Sequence, residues 1–421
     1  MKTAVLSVGT EILFGQITNT NTVFLSQQLN LLGFDVMYHY TVGDNSDRLA
    51  DIIQMAFRDC DLVITTGGLG PTEDDLTKET ACQVMEDVLV RHEPSFLALE
   101  ESARRRGRPL TQNNYKQAMM PSRAEVFDND AGTAPGFALS KDGKTIICMP
   151  GPPREMTRMW QRRVRPYLEK RQNSVIHYKV LRCFGIGESA LETGLLPLID
   201  GQTDPTLATY AKEGECSVRI ASKRATLEEA QAAVSDMIRQ VREKVGEYIY
   251  SEEDEELAQV VGRKLIDRNI SISSCESCTG GMFGAALTSV PGISAVFDRS
   301  LVTYTWKAKM EELGVKEETL LAHTAESREV AAEMAEGLAA KTGSRICISV
   351  TGLAGPDGGS EEKPVGTMFI GCCFDGRTVV RDLRGRNVNR QWNRHYAVLS
   401  MLDLVNQVLD GRMETLISSY K

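Results

Sequence analysis

Histidine is scarce in this sequence: five occur in 421 residues, and only His323 and His395 lie beyond position 250. A Ser-His-Asp triad in the C-terminal part therefore has poor support. Apolar runs are short, none approaching the ~20 residues that span a bilayer, so no membrane insertion is expected. The N-terminus passes from Met1-Lys2-Thr3 straight into a strand-like stretch, without the charged and apolar regions of a secretory signal. A cytoplasmic location is expected. Excess positive charge is missing too. A formal net charge of −9 gives no long-range attraction for nucleic acid, whose binding needs clustered Lys and Arg, so no direct contact with it is expected. The local basic runs Arg104 to Arg108 and Arg381 to Arg394 read as solvated surface. Ten cysteines are scattered without a disulfide framework and read as reduced, buried small apolar residues. Cys275 and Cys278 form a CxxC pair, but no second pair or nearby histidine completes a zinc set.

What is present is length and alternation. A chain of 421 residues exceeds the ~250 to 300 at which single cores stop growing, so two or three domains are expected. The pattern opens as strand (Ala4 to Val8), helix (about Thr20 to Leu32), strand, helix, strand. Phe34, Val36, Tyr38, Tyr40 and Val42 alternate at period two, and Leu49, Ile52, Ile53 and Ala56 follow helical spacing. Such alternation builds a parallel sheet covered by helices. A second unit, about His177 to Tyr250, reads β-α-β-β-α-β, and the acidic stretch from Ser251 to Glu256 marks a boundary. The third unit alternates again: a helix around Leu257 to Leu265, strand Ile270 to Ser274, a loop from Glu276 opening a helix near Met282, strand Leu301 to Tyr304, a helix over Val330 to Leu338, strand Arg345 to Val350, and a last helix through Leu409. The expected fold class is α/β throughout: a three-layer α/β domain over 1–170, a small α+β domain over 171–252 and a second three-layer α/β domain over 253–421.

Two sets of loops carry chemistry. In the last domain, Cys275-Glu276-Ser277-Cys278-Thr279-Gly280-Gly281 places a hydroxyl where backbone N–H groups converge at a helix start, which suits either an oxyanion site or an ordinary N-cap serine. With histidine scarce another base is needed. The stretch Val302 to Lys309 supplies Lys307 and Lys309, and a lysine desolvated in the interior loses enough pKa to serve. A third loop, Thr351-Gly352-Leu353-Ala354-Gly355-Pro356, also follows a strand and lets backbone approach an anion. In the first domain, Gly9-Thr10-Glu11 and Gly67-Gly68-Leu69-Gly70-Pro71-Thr72-Glu73-Asp74-Asp75 set carboxylates beside a glycine-rich turn. That pattern suits a divalent ion holding a phosphorylated ligand, while Thr72 with Asp75 also fits a capping box.

The run Glu276 to Gly281, the segment Val302-Thr303-Tyr304 with Ala308-Lys309, and Thr351 to Pro356 continuing through Glu361-Glu362-Lys363-Pro364-Val365-Gly366-Thr367 resemble the CinA family (competence/damage-inducible protein A). The resemblance implies hydrolysis of the carboxamide of nicotinamide mononucleotide to nicotinate mononucleotide and ammonia, without a cofactor. Ser277 would be the nucleophile and Lys309 its base, with Tyr304 and Thr351 in support. Thr279, Gly280, Gly281, Gly352 and Gly355 would surround the oxyanion and substrate, Gly280 and Gly281 donating N–H groups. The family's Gly-Asp-Arg pattern is broken here, leaving Arg386 or Arg390 to hold the substrate phosphate, and Trp306 stands where an asparagine is common.

The N-terminal segments, with Gly132-Thr133-Ala134-Pro135-Gly136 and Pro150-Gly151-Pro152-Pro153-Arg154-Glu155-Met156, are similar to the molybdopterin-binding fold of MogA-like proteins found at the front of CinA. This resemblance implies a metal-dependent ADP-ribose pyrophosphatase using a divalent ion (cobalt or magnesium) and potassium. Its phosphate and metal site would comprise Glu11, Gly68, Gly70, Thr72, Asp74 and Asp75, with Asp75 and Asp74 as metal ligands; Asn19, Asn21 and Lys116 are further candidates. Thr10 replaces an aspartate that many relatives carry. Both activities fit pyridine-nucleotide salvage, and family members are often homodimers. Two other readings stay open: a non-catalytic protein, holding a molybdopterin-like ligand or acting with recombination machinery in DNA uptake, and an enzyme that adenylates molybdopterin in molybdenum cofactor synthesis.

Overall fold

The computed structural model of the chain describes residues 1–107, 110–171, 174–384 and 388–419. They form two compact units, residues 1–177 with 222–233, and residues 178–221 with 234–421. Among the described residues no helix is long and apolar enough to cross a membrane.

The first unit is built on a six-stranded sheet in the order Asp35–Val42, Lys2–Val8, Leu62–Thr66, Lys144–Met149, Gly136–Lys141, Glu125–Phe127. The first four strands run parallel; the last two are antiparallel. Ala4, Val5 and Leu6 are all fully buried, as expected of a strand covered on both faces. Ala4 and Leu6 pack under the helix Ser46–Asp59 with Leu49 and Ile53, whereas Val5 points to the opposite face with Leu25, Leu29 and Trp160. Period-two alternation on the strands and helical spacing on their covers thus assemble three layers.

The second unit contains a four-stranded sheet, Thr206–Lys212, Glu215–Arg224, Val175–Cys183, Ile249–Ser251, and a five-stranded sheet, Phe297–Val302, Ile272–Glu276, Ile346–Gly352, Met368–Phe374, Arg377–Leu383. In the larger sheet the first three strands are parallel and the last two antiparallel. One face carries the helices Leu257–Asp267, Met282–Thr288 and Arg390–Leu409 over a core including Ile272, Phe283 and Met401. The other carries Arg328–Thr342 over Cys275, Val330 and Met334. The carboxyl ends of the three parallel strands lie together, and open α/β sheets bind ligands outside such ends.

Two expected strands shift. The strand expected from Ile270 starts at Ile272, because Asn269 turns left-handed at φ 50° and Ile270 N–H closes the preceding helix onto the Leu265 carbonyl at 3.0 Å. The strand expected over Leu301 to Tyr304 is Phe297–Val302. Lys309 sits on the helix Trp306–Leu313, with Thr305 capping that helix through a 3.1 Å bond from Ala308 N–H.

Candidate active site

Ser277 follows the strand Ile272–Glu276, and its own N–H donates to the Val350 carbonyl at 3.0 Å, tying the loop to the neighbouring strand. Glu276 fixes the rest. Its carboxylate is fully buried and accepts from Thr279 Oγ1 at 2.7 Å, Gly281 N–H at 2.9 Å, Phe283 N–H at 3.1 Å, Gly284 N–H at 3.0 Å and Ser300 Oγ at 3.0 Å. An anion among unpaired N–H groups at a helix start is strongly held. Arg394, on the helix Arg390–Leu409, clamps the same loop by donating to the Cys278 and Thr279 carbonyls at 3.0 and 2.7 Å.

Lys309 Nζ lies 3.0 Å from Ser277 Oγ. The lysine is 1% exposed and the serine 8%. Nζ also donates to the Thr303 carbonyl at 2.8 Å and the Tyr304 carbonyl at 3.4 Å. As an ammonium, Nζ donates to all three oxygens; once it loses a proton, N–H bonds kept on the two carbonyls leave its lone pair to the serine hydroxyl. Burial pushes the Lys309 pKa below the ordinary lysine value, opposed by the Glu326 carboxylate, so the amine is the group prepared to take a proton. Lys307 instead pairs at the surface with Glu311.

The remaining expected residues divide. Gly280 and Gly281 belong to the loop, but their N–H groups donate to the Ser277 carbonyl (3.1 Å) and to Glu276, so neither is free for an oxyanion as expected. Thr279 spends its hydroxyl on Glu276. Thr351 is buried and donates to the Ala325 carbonyl at 2.8 Å; it braces a neighbouring segment instead of touching Ser277 or Lys309 by a hydrogen bond. Tyr304 meets Lys309 through its backbone, while its exposed phenol accepts from Arg390 at 3.1 Å. Arg390 also donates to the Gly355 carbonyl at 2.6 Å, which brings Gly355 and Tyr304 to one rim. Gly352 ends its strand where any Cβ would meet the Thr367 carbonyl and Met368 at 2.5 Å. Arg386 lies outside the described residues. Cys275 and Cys278 point into the cores on opposite faces of the sheet, so the CxxC pair makes no joint site.

In the first unit a cleft is lined by Gly68, Gly70 and Thr72 together with the carboxylates Glu11, Asp44, Asp74, Asp75 and Glu155. Asp75 accepts from Thr72 N–H at 2.9 Å and from the Thr72 hydroxyl. Gly70 packs against the Asp75 carboxylate, and a Cβ there would lie 2.4 Å from it, so a larger residue would displace that carboxylate. The helix begins only at Thr77, so Thr72 and Asp75 close a turn and do not form its capping box. Asp74 is exposed, and a hydrogen bond from Thr72 lowers its pKa. Asn19 caps the helix Thr20–Leu31, Asn21 ties Thr66 to the Gly151 carbonyl at 2.9 and 2.7 Å, and Lys116 donates to the Thr72 and Asp75 carbonyls at 3.2 and 2.6 Å. These three hold loops in place.

Sequence reasoning missed Glu276, Arg394 and Asp44 as site-forming groups. Asp44 accepts from Thr10 N–H and Oγ1 at 3.0 and 2.7 Å, bringing a carboxylate to the position beside Thr10. Its signal, an acid just past the strand ending at Val42, was visible. That of Arg394, more than a hundred residues from the loop it clamps, was not.

Fold and sites together define an α/β protein whose two units each present loops at the carboxyl edge of a mixed sheet. Family models match in sequence along it: "Probable molybdopterin binding domain" over residues 4–170, "Damage-inducible protein CinA KH domain" over 178–251 and "CinA C-terminal domain" over 254–409. A competence-damage inducible protein of Acetivibrio thermocellus is 47% identical over 407 residues, spanning 97% of this chain and 98% of that one. The CinA-like protein of Dictyoglomus turgidum is 44% identical over 409 residues, spanning 97% and 99%. Among solved structures, the competence/damage inducible protein CihA from Agrobacterium tumefaciens is 36% identical, with 37% of this chain and 97% of that chain covered and a TM-score of 0.35. The chain belongs to the CinA family.

Proposed function

We propose that the C-terminal unit hydrolyses the carboxamide of nicotinamide mononucleotide. The observation that carries the reading is the buried Lys309 Nζ, 3.0 Å from Ser277 Oγ and held in place by the Thr303 and Tyr304 carbonyls. Ser277 Oγ attacks the carboxamide carbon while Lys309 takes the hydroxyl proton. Collapse of the tetrahedral species returns that proton to the departing nitrogen, ammonia leaves, and a nicotinoyl ester remains on Ser277. Water, deprotonated by the same amine, then hydrolyses the ester and restores the serine. With the Gly280 and Gly281 N–H groups engaged, the oxyanion falls to those of Cys278 and Thr279, directly after the nucleophile. Arg390, on the rim with Tyr304, is the described arginine suited to the substrate phosphate. Incubating the purified chain with nicotinamide mononucleotide tests this: ammonia and nicotinate mononucleotide in equal amounts are expected, and their absence would remove the proposal.

For the N-terminal cleft the reading is hydrolysis of the pyrophosphate of ADP-ribose. Among the described residues no three side chains form a ready metal group. The donor set is carboxylates beside a glycine turn, which fits a hard divalent ion that takes most of its ligands from phosphate oxygens and water. Asp74 and Asp75 would hold it, and the ion would polarise a phosphoryl oxygen. The description of the matching family model favours a second reading, a molybdopterin-like ligand in this cleft; titration of each ligand against the chain separates the two.

A further inference from the structure

Three apolar side chains, Val302, Tyr304 and Trp306, are exposed one after another where the strand Phe297–Val302 leaves the sheet and the next helix begins. Trp306 is the one the chemistry of Ser277 and Lys309 has not used. Trp160 is enclosed and meets Phe24 edge-on, and Trp392 stacks on Tyr396. Trp306 is 41% exposed and, among the described residues, meets no other ring. The helix Trp306–Leu313 fixes where it stands. Lys309 and Leu313 are buried and Met310 packs against the core, so these residues form the stripe turned to the sheet. Trp306, three residues before Lys309 and four before Met310, begins that same stripe, one turn beyond the lysine at the carboxyl edge of the sheet. Lys307 and Glu311, off the stripe, pair in solvent.

The residues on either side give the rim an order. Val302 comes within 3.7 Å of where a Cβ would stand on Gly281, in the nucleophile's loop. Tyr304 gives its carbonyl to Lys309 Nζ and its phenol to Arg390. Outward from Ser277 the sequence of groups is therefore hydroxyl with amine, then aromatic rings, then guanidinium. A nicotinamide nucleotide presents its parts in the matching order: carboxamide, ring, phosphate. The middle part is a pyridinium, a cation that must lie among Lys309, Arg390 and Arg394. Glu276, the acid next to the nucleophile, spends its carboxylate on five donors and is not offered to it. The face of an indole supplies negative potential without a formal charge, and of the aromatic side chains it holds a cation best.

We propose that Trp306 is the platform on which the pyridinium ring lies, and that through it the site selects the oxidised nucleotide over the reduced one, whose dihydropyridine ring is uncharged. The proposal rests on the amidase reading of Ser277 and Lys309 and adds which redox form of the substrate that site accepts.

The test is calorimetric titration of the full chain carrying Ser277→Ala, so that no turnover intervenes, with nicotinamide mononucleotide and with its reduced form. The oxidised nucleotide is expected to bind about 10-fold more tightly, as one partly desolvated cation–π contact provides. Adding Trp306→Leu should weaken the oxidised nucleotide about 10-fold and the reduced one less than about threefold, since leucine keeps apolar contact but has no π face; retained binding of the reduced form also shows the fold intact. Trp306→Tyr should fall between. Equal affinity of the two forms, or Trp306→Leu weakening both alike, overturns the platform alone. So does a preference erased by Glu326→Gln, whose carboxylate acts on Lys309, and untouched by Trp306→Leu. Absence of ammonia release by the native chain overturns it together with the amidase reading beneath it.

Discussion

Among single residues, the account rests on the protonation state of Lys309. Its pKa is lowered chiefly by burial, so the neutral amine appears at lower pH than in a free lysine. The amidase rate should therefore rise with pH through that lowered pKa and level off above it. A pH profile of kcat/KM for ammonia release checks this, and an acid limb centred at or above the ordinary lysine value of 10.5 would contradict it. Ser277 and Lys309 were legible as a pair of residue types in ordered motifs. Their supports were less so: that Glu276 would consume the Gly281 N–H, or that Tyr304 would present its backbone to the lysine, depends on side-chain directions set by packing, which spacing does not encode.

Elements show the same division. Strong periodicity located the parallel strands and their covering helices, because a strand buried on both faces and an amphipathic helix each leave a repeating signature. The hairpin Met368–Phe374 with Arg377–Leu383 escaped notice. Its first strand, Met-Phe-Ile-Gly-Cys-Cys-Phe, is nearly continuous in apolar residues and shows no alternation. The helix Met282–Thr288 depends on one side chain for its start, since Glu276 satisfies three of its N-terminal N–H groups. Glu276→Ala leaves those donors buried and unpaired, at a cost of about 3 to 5 kcal/mol. Denaturant unfolding should show this loss, whereas a change under about 1 kcal/mol would mean that the loop holds without its anchor.

For the whole molecule, the cysteines report on integrity. All ten are buried and free, and burial raises the thiols of Cys148 and Cys278 to about 12 from 9.0. A folded pKa above the unfolded one means that the unfolded chain binds fewer protons between the two values, so stability is lost as pH rises from about 9 towards 12. At pH 8 a thiol reagent should find no fast-reacting cysteine in the native chain and all ten after denaturation; one stoichiometric fast thiol would contradict this packing. The measurement that decides the account is kcat/KM for ammonia release from nicotinamide mononucleotide by the native chain and by Ser277→Ala. A loss of about a thousandfold or more is expected when the nucleophile is removed. A variant within about tenfold of the native rate, on the same scale, would show that the hydroxyl beside Lys309 does not perform the reaction.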